Sequence, residues 1–329
     1  MAKQQRIDPR SVPARKKKKP GRPGGRKPGP PPVRKATLGD WIGGARPQTL
    51  SLAIAPVALG LACAWVLPHE NEGPLWPWLR LALCLIVALA LQIGVNYAND
   101  YSDGVRGTDR HRQGPARLTA SGAAKPRTVL AVALFFFSVA AIAGFGIVWL
   151  TQHWWLLAVG FLCILAAWFY TGGKRPYGYY GLGEVFVFLF FGLAATLGTM
   201  FVLSGTVTLE AWLAATAIGL LACAVLMINN VRDREQDAAA GKRTLAVLLG
   251  HWPSRIAYVV LLLAPYGILT VFALLYEYAP YVYFTLLVAL PAALIAVTAK
   301  TAGELVLALR LTSLTALLFG LGLAAAIAF

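Results

Sequence analysis

Two stretches of the chain carry carboxylates and carboxamides at helical spacing, each at the end of a long apolar run. Residues 96–109 read NYANDYSDGVRGTD, and residues 229–237 read NNVRDREQD. The spaced residues are Asn96, Asp100 and Asp103 in the first stretch (i, i+4, i+7) and Asn229, Asp233 and Asp237 in the second (i, i+4, i+8). Each set therefore lies along one face of a helix.

Several acids on one face at the end of an apolar run repel one another unless a cation compensates them, and they are costly to desolvate. A hard divalent cation such as Mg²⁺ meets that need, because it is usually held by a few carboxylates together with substrate phosphates. Two such faces brought together would clamp a diphosphate through bridging ions. The sequence thus predicts a site for a phosphate ester at the ends of two helices.

The helices that carry these faces are expected to lie in a membrane. The 329 residues are 58% hydrophobic and only 13% charged, and the mean hydropathy is +0.62. This composition excludes an ordinary soluble enzyme and indicates an all-α integral membrane protein. Nine apolar stretches can cross a bilayer, approximately 47–67, 78–99, 128–150, 154–171, 182–203, 209–230, 254–275, 279–298 and 308–328. We expect nine transmembrane helices in a bundle around a central cavity.

The high net charge comes mainly from one end of the chain. Thirteen of the 30 basic residues lie in the first 35 positions, beside the single acid Asp8. We therefore predict a disordered basic tail over 1–35 and a membrane domain over 36–329. The tail either binds anionic lipid headgroups or only fixes the topology, and it does not indicate nucleic-acid binding.

The basic residues also predict the orientation of the chain. Nearly all of them fall in the N-terminal segment and in the connections after spans 2, 4, 6 and 8, and cytoplasmic connections are the ones enriched in Lys and Arg. The N-terminus is therefore expected on the cytoplasmic side and the C-terminus outside. Both acidic faces, at the ends of spans 2 and 6, then lie at the cytoplasmic side.

Basic and glycine-rich segments accompany the acids. Arg106 and Lys242 lie in the connections beside the two acidic faces, where they would neutralise phosphate charge or else form a snorkelling rim. Residues 170–184, YTGGKRPYGYYGLGE, bring a further pair of cations, Lys174 and Arg175, among five glycines. This segment is either a ligand-binding loop, which glycines favour, or a flexible interhelical turn.

At NDYSD (99–103) and DREQD (233–237) the chain resembles the UbiA superfamily of intramembrane aromatic prenyltransferases. The resemblance extends from Gly43 to the C-terminus, and ARPQTL (45–50) and the 170–184 segment are similar to the branch that uses 1,4-dihydroxy-2-naphthoate. It implies nine helices, Mg²⁺, and transfer of a prenyl chain from polyprenyl diphosphate to dihydroxynaphthoate with loss of CO₂, giving demethylmenaquinol. It also implies a bacterial inner-membrane enzyme whose active site faces the cytoplasm.

Candidate residues follow from the spacing and the resemblance together. Those expected to hold the metal are Asn96, Asp100, Asp103, Asn229, Asp233 and Asp237. Those expected to be catalytic are Asp100, Asp103, Asp233, Asp237, Lys174 and Tyr170. Those expected to bind substrate are Arg46, Gln48, Asn96, Asn99, Arg106, Asp109, Arg175, Tyr177, Asn229, Asn230 and Lys242. The sequence leaves open whether Asp103 or Asp109 reaches the metal.

The reaction expected is ionisation followed by aromatic substitution. Departure of diphosphate leaves an allylic cation, which the ring faces of Tyr97, Tyr101, Tyr170 or Tyr177 would stabilise. No general base is evident in the sequence. Another aromatic acceptor, such as 4-hydroxybenzoate or homogentisate, is the nearest alternative. A membrane transporter is the alternative from a different class, although its acids would be expected near the bilayer midplane and not at one face.

Overall fold

The structure, a computed structural model, describes residues 34–67, 75–109 and 117–329. The residues from Arg34 onward form one unit, which is all-helical in these ranges. Its helices are α1 Leu38–Gly44, α2 Ser51–Trp65, α3 Leu75–Arg106, α4 Pro126–Thr151, α5 Leu156–Phe169, α6 Gly183–Ser204, α7 Leu209–Ala239, α8 Leu245–Leu249, α9 His251–Leu275, α10 Ala279–Thr298 and α11 Ala302–Ala328. The predicted basic tail falls almost entirely outside the described residues.

Seven of the nine predicted stretches form helices that are long and apolar enough to cross a bilayer, namely α3, α4, α6, α7, α9, α10 and α11. The first predicted stretch does not form one straight span. A short turn, Pro47–Thr49, follows Arg46, whose φ of 53° is left-handed, and the segments Leu38–Thr49 and Ser51–Trp65 meet at 46°. The chain bends here because proline starts a new turn after a residue that cannot continue the helix.

The fourth predicted stretch forms a helix that is shorter than expected. α5 has 14 residues, Leu156–Phe169, and is therefore about 21 Å long, less than the roughly 30 Å of a hydrocarbon core. The glycine-rich segment that follows ends the helix, where the Gly172 amide still donates to the carbonyl of Trp168. A shortened α5 brings this segment down into the bundle, next to the end of α3.

α7 is the central helix of the bundle. In its most apolar stretch 72% of the residues are buried, against 22% for α3, which presents a wide face to its surroundings. α7 packs against α9, α11 and α6, while α3 runs along α4 and α2 packs against α11 and α6. Both acidic faces therefore belong to long helices that end on the same side of the bundle.

Glycines allow the closest approaches between helices. A Cβ built on Gly192 in α6 would lie 2.6 Å from the Cα of Gly219 in α7, and one on Gly60 in α2 would lie 2.5 Å from the carbonyl oxygen of Thr196. Membrane helices pack through such small residues because lipid supplies no hydrophobic force between them. α6 also contains a π-helical turn, Phe188–Ala194, directly at the Gly192 contact.

Candidate active site

A cavity of about 670 Å³ opens within the bundle and is polar at one end. The polar end lies where α3 and α7 finish, beside the 170–184 segment and the turn after α7. Its charged and amide residues include Asn96, Asn99, Asp100, Asp103, Arg117, Asn229, Asn230, Arg232, Asp233, Asp237 and Lys242. The structure therefore brings the two acidic faces to one cavity.

Asp103 is the most heavily bonded acid of the first face. It is 2% exposed, and its Oδ2 accepts from Arg117 Nη1 at 3.2 Å and from Lys242 Nζ at 3.1 Å. Its Oδ1 accepts from the hydroxyl of Tyr179 at 2.5 Å. α3 ends one turn later, where Gly107 adopts a φ of 76°, so Asp103 lies in the last regular turn of the helix.

Asp100, the other acid of this face, and Asp109, which follows α3, contact the segment that returns after residue 116. Asp100 accepts from the backbone amides of Leu118 and Thr119, each at 2.9 Å, and is buried. Asp109 lies 3.1 Å from Arg117 Nε and does not line the cavity. Asp100 thus anchors the connection between α3 and α4, and Arg117 draws Asp103 and Asp109 together.

The second face is partnered mostly within its own helix. Arg232 donates two bonds of 2.7 Å to the carboxylate of Asp233, and its Nη2 also donates to Asn229 Oδ1 at 2.8 Å. Asp237 lies 3.7 Å from Lys242 Nζ. The turn at Gly241, which has a φ of 76°, returns Lys242 toward Asp237, and the Lys242 amide donates to the Asp237 carbonyl at 2.8 Å. Lys242 therefore contacts an acid from each face.

The carboxamides of the two helices are held by neighbouring segments. Asn96 Nδ2 donates to the Ala45 carbonyl at 2.9 Å, and Asn99 Oδ1 accepts from Thr171 Oγ1 at 2.6 Å. On α7, Asn230 Nδ2 donates to Glu184 Oε1 at 3.0 Å, and both residues are buried. These bonds fix how the amides sit at the cavity wall. They also join the N-terminal turn and the 170–184 segment to the two acidic helices.

The 170–184 segment contributes tyrosines but not its own cations. Tyr170 and Tyr177 line the cavity, and their rings meet edge to face with centroids 5.5 Å apart. Lys174 and Arg175 are exposed and do not line the cavity, so the structure does not bring these two predicted residues to the site. A tight turn through two glycines directs both side chains outward, which their charge alone does not reveal.

Arg106 and the two tyrosines of α3 have positions that differ from the expectation. Arg106 donates to the carbonyls of Thr171 and Gly173, so it binds the loop to α3 and does not line the cavity. Tyr97 donates to the Trp41 carbonyl at 2.5 Å and packs away from the cavity, and Tyr101 does not line it either. Tyr97 and Tyr101 follow their neighbours on α3 by one residue, so they point about 100° away from Asn96 and Asp100.

The N-terminal turn closes the polar end. Arg46 and Gln48, which were predicted to bind substrate, both line the cavity. Gln92 and Asn96 on α3 each donate to Thr49 Oγ1, at 2.8 and 3.3 Å. The left-handed backbone at Arg46 and the proline that follows it therefore set this turn against α3.

Arg117 and Lys242, which lie in the connecting segments, stay charged. Burial alone would lower the pKa of Arg117, but Asp103 and Asp109 outweigh it and raise that pKa above its ordinary value. The pKa of Lys242 is raised in the same way, because Asp103 and Asp237 outweigh the effect of burial. Burial, followed by the nearby Asp103 charge, raises the pKa of Tyr179. A guanidinium, an ammonium and a neutral phenol thus surround Asp103 at neutral pH.

The rest of the cavity is apolar and long. It runs between α3, α4, α5 and α6, from Asp103 to Cys84 along α3 and from Tyr177 to Val202 on the α6 side. The 19 residues between Cys84 and Asp103 correspond to about 28 Å of helix. Such a shape suits a molecule with an anionic head and a long hydrocarbon tail.

The oxygens at the polar end suit a magnesium ion that arrives with phosphate. Among the described residues, no group of three or more His, Cys, Asp or Glu side chains is arranged to hold a metal by itself. Mg²⁺ is commonly held by one or two carboxylates plus substrate phosphates, and carboxylates from both faces line the cavity. The donor set therefore fits a metal shared between protein and substrate better than an all-protein cage.

Residues at the polar end that were not among the predicted site residues include Arg117, Arg232 and Tyr179. Arg117 lies in a connection whose return to α3 has no sequence signal, and Tyr179 is one of several tyrosines in a flexible-looking segment. Arg232 could have been predicted as a site residue from the sequence. It follows Asn229 at i+3 and precedes Asp233, so it belongs to the same end of α7.

Two relatives of known name are similar to this chain over most of its length. A 1,4-dihydroxy-2-naphthoate octaprenyltransferase of Mycobacterium tuberculosis is 46% identical over 299 residues, which cover 89% of this chain and 98% of the relative. A protein of the same name from Escherichia coli is 39% identical, over 71% of this chain and 76% of the relative.

Solved structures share the fold. A UbiA homolog from Aeropyrum pernix K1 superposes with a TM-score of 0.63 at 18% identity, over 84% of this chain and 96% of that one. A UbiA homolog from Archaeoglobus fulgidus bound to GPP and Mg²⁺ gives 0.58 at 15% identity, over 87% and 99%. The model of the UbiA prenyltransferase family matches residues 53–304. With most of its length matched and two acidic helix ends at one cavity, this chain belongs to the UbiA prenyltransferase family.

Proposed function

We propose that the protein transfers a polyprenyl chain from polyprenyl diphosphate to 1,4-dihydroxy-2-naphthoate, with release of diphosphate and CO₂, to give demethylmenaquinol for menaquinone synthesis. The observation that carries the proposal is the cavity, whose polar end is built from both acidic helix ends and whose remainder is a long apolar groove. The names of the relatives, at 46% and 39% identity, support the choice of acceptor.

The polar end is proposed to bind the diphosphate together with Mg²⁺. The residues proposed to hold the metal are Asn96, Asp100, Asp103, Asn229, Asp233 and Asp237, all of which line the cavity. When bound, Mg²⁺ would neutralise the charge of the leaving diphosphate. Arg117 and Lys242 add fixed positive charge on the same side, and Arg117 enters this proposal from the structure alone.

The allylic carbon would lie where the polar end meets the apolar groove. Tyr170 and Tyr177 line this region, and burial raises the pKa of both, so their rings stay neutral and present π faces to a developing cation. The apolar walls exclude water, which would otherwise capture the cation. The ring carbon that bears the carboxylate then forms the new bond, the carboxyl group leaves as CO₂, and the ring regains its aromaticity.

The proposed setting is a bacterial inner membrane with the site facing the cytoplasm. Nine spans, with the N-terminus inside and the C-terminus outside, would include the bent α1–α2 pair and the short α5 beside the seven longer helices. The basic N-terminal segment 1–35 is proposed to contact anionic headgroups. A prenyl tail would then lie among lipids while its diphosphate meets the cytoplasmic side.

The test is mass spectrometry of the products made by purified protein from prenyl diphosphates of graded length. We expect demethylmenaquinol with dihydroxynaphthoate, loss of product in EDTA, and loss in Asp100→Asn and Asp233→Asn. 4-Hydroxybenzoate and homogentisate are offered in parallel. Prenylation of either of these, with none of dihydroxynaphthoate, would refute the proposed acceptor, and full turnover in both variants would refute the metal assignment.

A further inference from the structure

The acids of the two faces already have donors from the protein itself. Asp103 contacts Arg117 and Lys242, Asp237 contacts Lys242, and Asp233 is paired with Arg232. These are the carboxylates proposed to hold the metal. A metal that uses the same oxygens must therefore compete with side chains that already carry positive charge.

Lys242 differs from the two arginines in what it joins. Its Nζ lies 3.1 Å from Asp103 on α3 and 3.7 Å from Asp237 on α7, so one ammonium links both acidic faces. Arg232 is held next to Asp233 in its own helix, and the ion pairs of Arg117 are with Asp103 and Asp109, at and just after the end of α3. Lys242 thus lies between the two carboxylates where a cation shared by both faces would bind.

The surroundings of Lys242 allow its ammonium to change partners. Its Nζ lies 4.8 Å from the centre of the Tyr179 ring, and the side chain lines the cavity. The backbone is fixed by the turn at Gly241, while four flexible carbons carry the charge. A phosphate oxygen entering the cavity would offer this ammonium a further anionic partner without any movement of the helices.

We propose that Lys242 and the divalent metal compete for Asp103 and Asp237, and that the diphosphate, by binding Lys242, allows the metal to take those carboxylates. This rests on the proposed function for the identity of the diphosphate. Metal and diphosphate then bind cooperatively, and each raises the affinity of the other by the same factor. Lys242 is the residue that links the two events.

The experiment measures Mn²⁺ binding by electron paramagnetic resonance to the full chain in lipid nanodiscs, with and without inorganic pyrophosphate. Free Mn²⁺ is corrected for the complex that it forms with pyrophosphate in solution. The variant is Lys242→Met. The matched control is Lys125→Met, which removes an exposed lysine at the start of α4. Thermal unfolding of each sample establishes that the protein is folded, and Lys242→Gln replaces the methionine variant if that one is not.

We expect pyrophosphate to raise the Mn²⁺ affinity of the wild type and of Lys125→Met by at least about tenfold, within the usual 5- to 150-fold range of coupling. In Lys242→Met, Mn²⁺ should bind several times more tightly than to the wild type when pyrophosphate is absent, and the coupling should shrink. Equal or weaker binding in the variant overturns the proposal. A wild-type Mn²⁺ affinity that does not change when pyrophosphate is added also overturns the proposal.

These outcomes are separable from failure of the proposed function. No prenyl acceptor enters the titration, so a different aromatic substrate would leave the Mn²⁺ results unchanged. If the wild type forms demethylmenaquinol but Lys242→Met binds Mn²⁺ with the same affinity as the wild type, only the proposed competition is overturned. Absence of any Mn²⁺ binding, with or without pyrophosphate, would overturn both the competition and the metal site.

Discussion

Asp103→Asn removes the negative charge at the point where the two helix ends meet. The carboxylate of Asp103 accepts from Arg117, Lys242 and Tyr179, and it is 2% exposed. An asparagine of the same shape keeps one acceptor oxygen but turns an NH₂ group toward donors. Two buried cations, Arg117 and Lys242, then lose one of their counter-ions.

The expected loss of stability follows from what each cation retains. Removing one partner of a buried ion pair costs about 3–5 kcal/mol when the other charge is left alone. Here Arg117 keeps Asp109 at 3.1 Å and Lys242 keeps Asp237 at 3.7 Å, so we expect about half of that cost. A loss of about 2 kcal/mol corresponds to a fall in Tm of about 4 °C in a chain of this size. The loss of activity should be larger, about 100-fold or more in kcat, since Asp103 is proposed to hold the metal that neutralises the leaving diphosphate.

The assay pairs thermal unfolding in detergent with prenyl transfer by folded protein at 25 °C. Glu235→Gln is the matched control, because Glu235 lies between Asp233 and Asp237 but has an 84% exposed side chain. We expect this control to change the free energy of unfolding by less than about 0.5 kcal/mol and to retain its activity. An Asp103→Asn protein with wild-type Tm and wild-type kcat would refute the role of the ion cluster.

Three further substitutions test other parts of the cavity. Arg106→Met removes the bonds that tie the loop after α5 to α3, and we expect faster hydrogen exchange over 170–182 together with a severalfold loss of kcat/KM. Gly198→Phe places a ring in open space beside the cavity, about 21 Å along α6 from Glu184. We expect this ring to slow the reaction of long prenyl donors, while short donors still react. Glu184→Leu removes the acceptor that orients Asn230, and we expect a roughly tenfold rise in KM for prenyl diphosphate that Glu184→Gln partly reverses.

Each of these expectations has an opposing result. Unchanged exchange in Arg106→Met would mean that the loop is held by other contacts. An equal loss for all donor lengths in Gly198→Phe would mean that the ring disturbs the bundle and not the tail. A wild-type KM in Glu184→Leu would mean that the amide of Asn230 is oriented without this carboxylate.

The helices and the meeting of the acids were predictable from the sequence, and the partners of the acids were not. Apolar runs and an i, i+4 spacing are local signals, so seven long helices and the faces of Asp100 and Asp233 follow from them. Arg117 reaches Asp103 only through a connection that folds back on α3, which is a tertiary event with no local signature. Lys174 is a case in which a local signal misleads. A basic residue beside a pair of glycines is typical of a ligand-binding loop, but Lys174 is exposed in the structure.

The lengths of two spans were mispredicted for related reasons. The first apolar stretch begins at Pro47, but Pro47–Thr49 forms a separate turn and the segments Leu38–Thr49 and Ser51–Trp65 meet at 46°, so only the later part of the stretch forms α2. In the fourth stretch hydropathy extends to residue 171, yet α5 ends at Phe169 because the glycines that follow favour a turn. Both departures occur beside the cavity, where the irregular backbone carries Arg46 and Tyr170 to its wall.

The π-helical turn Phe188–Ala194 gives α6 two orientations in a single span. A π turn accommodates one residue more than the α-helix that it interrupts, so the segments before and after it are rotated by about 100° relative to an unbroken helix. The first segment directs Glu184 to α7, and the second directs Gly198 and Val202 to the groove. Deleting one residue within 188–194 would bring the two segments back into phase and turn one of these surfaces away. One extra residue in α6 therefore sets the direction of the surface at the polar end of the cavity relative to the surface along the apolar groove.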